Sequence, residues 1–387
     1  MDTKRFRTRT EFIERNNGRV PHVWELALDI GYSSVKIFSP NSVASFPSYA
    51  KKVPEDFQFA GASPKSTILY RDDKGQTWLV GEVAQDMIKS DDTSDTEGAL
   101  YGRDRYQDEM FLVIARTGMG LGLMKNRFGE ISATDRVFLQ TGLPERYFRG
   151  DKDDLTECLT GIHTFELKTG NREWKKFTIN LTKNDIRVME QPKGTLFSIC
   201  VNNDGSNKQG FEKYLGGSVI IFDAGFGTLD TFGVFNGSVE NGETYDNLGM
   251  KRVLQETSKM IRDSFGVEVS VPAMQKHLET GTVRYINKRK LESKDYEFGD
   301  LLDKASLKVC DEAINKIASS MNVGEYEYFV VTGGTGEAWY QRICERLKGL
   351  PTLTVVPGNQ NDALPFIYSN VRGYYLYRYN KLRQGKQ

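Results

Sequence analysis

The chain has 387 residues, of which 39% are hydrophobic and 27% charged, with 37 glycines. That is length for two or three domains with sizeable cores, which excludes a disordered chain and a small disulfide-stapled scaffold. Its 52 Lys and Arg balance 52 Asp and Glu, so no global charge points to nucleic acid, an anionic membrane or acidic substrates. The cysteines (Cys158, Cys200, Cys310, Cys344) form no CxxC pair and the histidines (His22, His163, His277) are scattered. The spacing for a zinc site or a Cys/His nucleophile is absent, and dispersed thiols fit a reducing cytoplasm.

Residues 1–22 carry six basic and three acidic side chains and no apolar run. They read as a flexible basic arm, solvated and partly helical, or as an arm that contacts a partner. Order is expected from Val23. VWELALDIG and SVKIFSP flank the tight Gly31-Tyr32-Ser33-Ser34 turn and predict a β-hairpin. A second hairpin is predicted over 64–82, around Asp72-Asp73-Lys74-Gly75. Helices follow over 83–125, divided by the polar stretch Ser90–Gly102; the apolar run Met110–Met124 is too short and broken to span a bilayer and reads as a core helix. RVFLQTGLP is a strand entering a turn, and the acidic residues Asp151, Asp153 and Asp154 beyond it read as a solvated loop. HTFELKTG, KFTINL and DIRVMEQ are extended. Residues 217–240 form a strand–turn–strand unit. Helices follow near 247–265 and 298–320, then a strand, glycine turn and helix over 328–347, the strand TLTVVPG and a tyrosine-rich terminal helix.

An internal repeat carries the chemistry. DIGYSSVKIF (29–38) lies over DAGFGTLDTF (223–232), and TGLPE (141–145) over TGGTGE (332–337), in the same order and at nearly the same offset. Two ordered matches indicate two halves built to one plan. In each hairpin, glycines let a tight turn bring backbone N–H groups to phosphate oxygens, and hydroxyls add donors. The nucleotide-binding candidates are Gly31, Tyr32, Ser33, Ser34 and Lys36 in the first copy and Gly225, Phe226, Gly227 and Thr228 in the second. Gly333, Gly334 and Thr335 open a helix whose N-terminal N–H groups suit a phosphate or a nucleoside. Asp29 and Asp223, at the strand ends, suit a Mg²⁺ held mainly through water, because Mg²⁺ needs only one or two carboxylates plus phosphates. Asp230 stands where the first copy has Lys36; it reads either as a further Mg²⁺ support or as a surface salt bridge.

The series DIGYSS, LQTGLP, DAGFGT and VTGGTGE resembles the phosphate-1, connect-1, phosphate-2 and adenosine motifs of the actin, heat-shock chaperone and sugar kinase superfamily. LPERYF, VMEQPKG, LGMKRVLQ and NVRGYYLY make the likeness greatest to the bacterial actin-like plasmid segregation proteins of the ParM/StbA group, over about 23–380. The resemblance implies an α/β actin-like fold with two related domains around a nucleotide cleft: 23–194 plus 357–387 as domain I, and 195–356 as domain II. It implies ATP or GTP with Mg²⁺, slow hydrolysis coupled to polymerisation, and a cytoplasmic filament that segregates plasmid DNA. The partners it implies are further copies of the chain and a DNA-bound adaptor at a plasmid centromere, with no direct nucleic-acid or membrane contact. In such proteins a Glu or Gln before phosphate-2 orients the attacking water. Glu190 and Gln191 both compete here, and Gln191 fits better by its spacing to Pro192; Asp223 completes the catalytic set. The alternative is a small-molecule, sugar-type kinase of the same superfamily, which needs an Asp base after connect-1.

Overall fold

The computed structural model describes residues 2–88, 103–287 and 289–385. Ser90–Gly102, where a polar divider between helices is expected, therefore lies outside the described residues. In the first half, β1 (Glu11–Glu14), β2 (Val23–Ile30), β3 (Ser34–Ser39), β4 (Ser42–Pro47), β8 (Arg136–Leu143) and β11 (Ile186–Glu190) make a six-stranded sheet in the order β1-β4-β3-β2-β8-β11. Strands β2, β8 and β11 run parallel, while β2–β3 and β3–β4 are antiparallel pairs. A second sheet joins β5 (Ala50–Val53), β6 (Ile68–Asp72), β7 (Thr77–Val80), β9 (Gly161–Thr169) and β10 (Lys175–Leu181) in the order β10-β9-β6-β7-β5. Short helix α1 (Glu82–Asp86) follows it.

The second half repeats the plan. Strands β12 (Val219–Ala224), β13 (Thr228–Phe235), β14 (Ser238–Asp246), β17 (Tyr328–Thr332) and β18 (Thr354–Pro357) are ordered β14-β13-β12-β17-β18. This is the order β4-β3-β2-β8-β11 over again, with the antiparallel hairpin at one side and three parallel strands at the other. The central strands of both sheets are mostly apolar, interrupted by Glu25 and Asp29 in β2 and Asp223 in β12, and are buried on both faces, as parallel strands need to be. Helix α2 (Glu109–Gly122) is the core helix expected over the Met110 run, and it lies on the first sheet and against β9.

Three stretches depart from the sequence reading. Residues 145–159 form helix α3 rather than a solvated loop, with Asp151, Leu155 and Leu159 buried and Asp153 and Asp154 exposed. Helix α7 (Val271–Thr280) and the exposed hairpin β15–β16 (Thr282–Asn287, Glu292–Glu297) were not anticipated. The N-terminal segment is the largest difference. It is packed rather than free: Thr3–Phe6 make a 3-10 turn with Thr3 and Phe6 buried, and β1 adds to the sheet edge at β4. A basic, polar segment is held there by main-chain pairing and ion pairs, signals that hydropathy does not carry.

Helix α4 (Gln191–Cys200) leads from β11 into the second half, and the terminal helix α10 (Ser369–Arg383) packs on it and on β2, β3 and β8. The two helices cross backbone to backbone. A Cβ on Gly373 would stand 1.7 Å from the carbonyl oxygen of Gly194, so only glycine fits. Arg372, buried beside the crossing, donates to the Ser198 and Val201 carbonyls at 2.6 and 2.9 Å and pairs with Asp362 at 3.1 Å. Its guanidinium, together with the Asn361 side-chain nitrogen, thereby satisfies the carbonyls at the end of α4.

Candidate functional site

Both hairpins place an Asp at the last residue but one of the first strand, and both close the turn alike. Gly31 N–H donates to the Ser34 carbonyl at 3.1 Å, and Gly225 N–H to that of Thr228 at 2.9 Å. The cross-strand partner differs: Asp29 faces Lys36, whose ammonium is 3.3 Å away, whereas Asp223 faces Asp230. Asp230 is buried and accepts hydrogen bonds from Thr228 (2.8 Å) and Thr244 (2.5 Å), so it is not the surface salt bridge that was one of its two readings. The turns meet tip to tip. A Cβ on Gly227 would lie 2.7 Å from the Tyr32 ring.

Between the hairpins is a cavity of about 470 Å³. Gly31, Tyr32, Ser33, Ser34 and Lys36 line it from one side, and Gly225, Phe226, Gly227 and Thr228 from the other. Gly333, Gly334 and Thr335 also reach it, at the start of helix α9 (Gly334–Leu347), as do Asp29, Asp223 and Gln191. Gly333 sits at φ +81°, where a Cβ would stand 2.3 Å from the Ala224 carbonyl oxygen and 2.7 Å from Asp223 Oδ1. Gln191, the first residue of α4, donates from its side-chain nitrogen to Asp29 Oδ1 at 3.0 Å. Glu190 does not line the cavity; its carboxylate accepts from Lys193 at 2.7 Å.

Residues 27–194 match the family model of the N-terminal domain of actin-like proteins. A 15-stranded ParM filament from Clostridium botulinum has a similar subunit structure, with TM-score 0.69 and 18% identity over 92% of this chain and 98% of that one. The fold is actin-like. The actin-like protein Alp7A (TM-score 0.62, 16% identity, 93% of this chain and 97% of that one) and the archaeal actin homologue Ta0583 in complex with ADP (0.61, 14%, 92% and 99%) share it. No curated protein sequence matches the chain.

The actin-like fold brings further residues to the cleft that sequence motifs did not single out. Asn370, on α10, donates to Asp223 Oδ2 at 2.6 Å; Thr195 donates to its side-chain oxygen at 2.7 Å and so fixes which end faces the carboxylate. Arg105 stands 4.7 Å from the Tyr32 ring centre and donates to the Ile30 carbonyl at 3.2 Å. Lys4 through Arg9 line the cavity mouth. The internal repeat could not have found these residues, because none of them has a counterpart in the other copy.

Electrostatics test whether a cation–phosphate group suits this cleft. Burial pushes the Asp223 carboxyl up to about 6, with Asn370 and Lys36 opposing and Asp29 adding. Burial, then the neighbouring Asp223, pushes Asp230 up to about 7. Of the three buried carboxylates, Asp29 pairs with the Lys36 ammonium, which also acts on Asp223, while Asp230 is held by the Thr228 and Thr244 hydroxyls. Such a floor is short of positive charge, and glycine turns with hydroxyls above it offer room and donors for phosphate. The donor set therefore fits a magnesium–nucleotide better than either a bare anion or an apolar ligand. Among the described residues no group of three or more His, Cys, Asp or Glu has the arrangement of an all-protein metal site. A Mg²⁺ completed by phosphates and water needs none. No helix of the described residues is long and apolar enough to cross a membrane.

Proposed function

We propose that the chain is a cytoplasmic, filament-forming, nucleotide-dependent actin-like ATPase or GTPase that segregates plasmid DNA. The observation that carries the reading is the pair of Asp-bearing hairpins meeting tip to tip over one cavity, with Gln191 against Asp29. The two hairpins would hold the phosphates and the α9 turn the nucleoside side. Asp29 and Asp223 would hold Mg²⁺ through water, and the ion would supply compensation for phosphate charge. Gln191 commits its amide nitrogen to Asp29, which leaves its oxygen to accept a hydrogen bond from the attacking water. An amide orients water but accepts a proton poorly, so turnover is slow.

Self-assembly is supported by the likeness to a subunit of the ParM filament. A head-to-tail contact that does not close into a ring gives an open helical polymer, and nucleotide biases it by its differential affinity for the assembling state. An adaptor at a plasmid centromere would then connect polymer to DNA. The kinase alternative is not favoured: Asp151, Asp153 and Asp154 lie on α3, and none lines the cavity. Electron microscopy and sedimentation with ATP or GTP and Mg²⁺ test the reading. Filaments that form with a non-hydrolysable analogue and fall apart after hydrolysis support it. A chain that stays monomeric, or that phosphorylates a sugar, refutes it.

A further inference from the structure

The N-terminal segment is tied to both walls of the cleft. At its far end, β1 is part of the first-half sheet. At its near end, Thr3 donates to the Leu278 carbonyl on α7 at 2.7 Å, and the 3-10 turn touches α9. Between these anchors successive amides alternate in allegiance: Thr8 N–H donates to Gln275 of α7 at 3.1 Å, and Thr10 N–H to Glu82 of α1 at 2.8 Å. Arg7 makes both attachments with one side chain. Its guanidinium reaches Glu279 of α7 at 3.1 Å on one side and Asp86 and Glu82 of α1 at 2.8 and 3.4 Å on the other, and only 7% of the side chain is exposed. A planar fork with divergent N–H vectors is what allows one group to hold carboxylates on two bodies; an ammonium cannot match it. Glu279 also receives Lys4 at 3.4 Å and Arg9 at 2.6 Å. The stretch Lys4–Arg9 lines the cavity itself.

We infer that residues 3–10 are the outer wall of the nucleotide site and a latch across its mouth, with Arg7 as the positioning residue that couples α1 to α7. The Arg7 bridge adds to the direct α1–α7 contact and to the Lys276 hydrogen bond to the Ile88 carbonyl at 3.0 Å, and so slows the departure of a nucleoside triphosphate from the cleft. The inference rests on the nucleotide reading of the cleft. The latch itself does not, since it is a set of contacts present in the chain alone.

Two measurements on the full chain test it. The first is release of a fluorescent ATP analogue with Mg²⁺, by stopped flow, alongside single-turnover hydrolysis. Arg7→Ala should speed release about tenfold, equivalent to about 1.4 kcal/mol, for the loss of one buried guanidinium shared by carboxylates that are 36% and 44% exposed. Arg7→Lys should fall between, Glu279→Gln should follow Arg7→Ala, and release should change by more than hydrolysis. Release within about twofold of wild type in a folded Arg7→Ala, or equal change in both steps, overturns the latch. The second is amide hydrogen exchange without nucleotide. Thr8 and Thr10 should exchange faster in Arg7→Ala, while Glu11–Glu14 keep their protection; equal exchange at 8 and 10 overturns it. If the wild-type chain takes up no nucleotide, the reading of the cleft fails, and the exchange experiment still decides the latch.

Discussion

Asp223 shows how the cleft trades stability against chemistry. Its carboxyl, raised from 3.8 to about 6 by burial, binds protons more tightly in the folded chain than in the unfolded one. Asp230 does the same at about 7. The ligand-free protein therefore gains stability as pH falls from about 8 toward 5 and loses it as pH rises through those folded values; below the ordinary carboxylate range the unfolded chain takes up protons too and the gain stops. Asp223→Asn keeps a hydrogen-bond acceptor for Asn370 and removes the buried charge. We expect it to raise the ligand-free melting midpoint at pH 8 by the equivalent of about 1–2 kcal/mol and to flatten the pH slope, as thermal unfolding across pH would show. The same variant, like Asp29→Ala, should lose Mg²⁺-dependent hydrolysis by at least ~100-fold, a phosphate-release measurement. Gln191→Ala should bind nucleotide and hydrolyse it ~100-fold more slowly, with longer-lived filaments. Glu190→Ala should leave the rate near wild type, because Glu190 turns away to Lys193. A strong defect in Glu190→Ala with a normal Gln191→Ala would exchange the two roles.

Among the elements, the α4–α10 crossing tolerates the least. Gly373→Ala would drive a methyl into the Gly194 carbonyl, and neither backbone can yield without parting the helices. We expect a loss of about 3 kcal/mol or more in chemical denaturation, with Gly349→Ala, where nothing lies within 4 Å, as a neutral control. The elements legible in the sequence were those with a local signal. The DIGYSS and DAGFGT hairpins announce themselves by apolar strands around glycine turns, and the Met110 helix by its apolar run. What stayed hidden is fixed by tertiary partners. Helix α3 buries only Leu155, Leu159 and Asp151 within a charged sequence, so its pattern reads as solvated. The segment 2–14 has one buried aromatic, Phe6, and depends on β4, α1 and α7 for everything else. The cleft was legible wherever the two copies repeat each other; Asn370, Arg105 and the N-terminal wall have no copy to reveal them.

At the level of the whole molecule, two sheets of one strand order flank a single cavity, and α4 and α10 connect them. On the proposed function such a body would act by the relative position of its halves, so assembly should depend on nucleotide. We expect sedimentable filaments with ATP or GTP and Mg²⁺ and mainly monomer without, measured by pelleting; Asp29→Ala should pellet no better with nucleotide than without. The repeat also carries a break in its own symmetry. Where the first hairpin sets Lys36 opposite Asp29, the second sets Asp230 opposite Asp223. Two walls that share a backbone plan thus differ in sign at one matched rung. If the cleft takes a nucleotide as proposed, a linear molecule with its charge gathered at one end would meet a different neighbour in each direction, and a duplicated scaffold would act as a one-way socket.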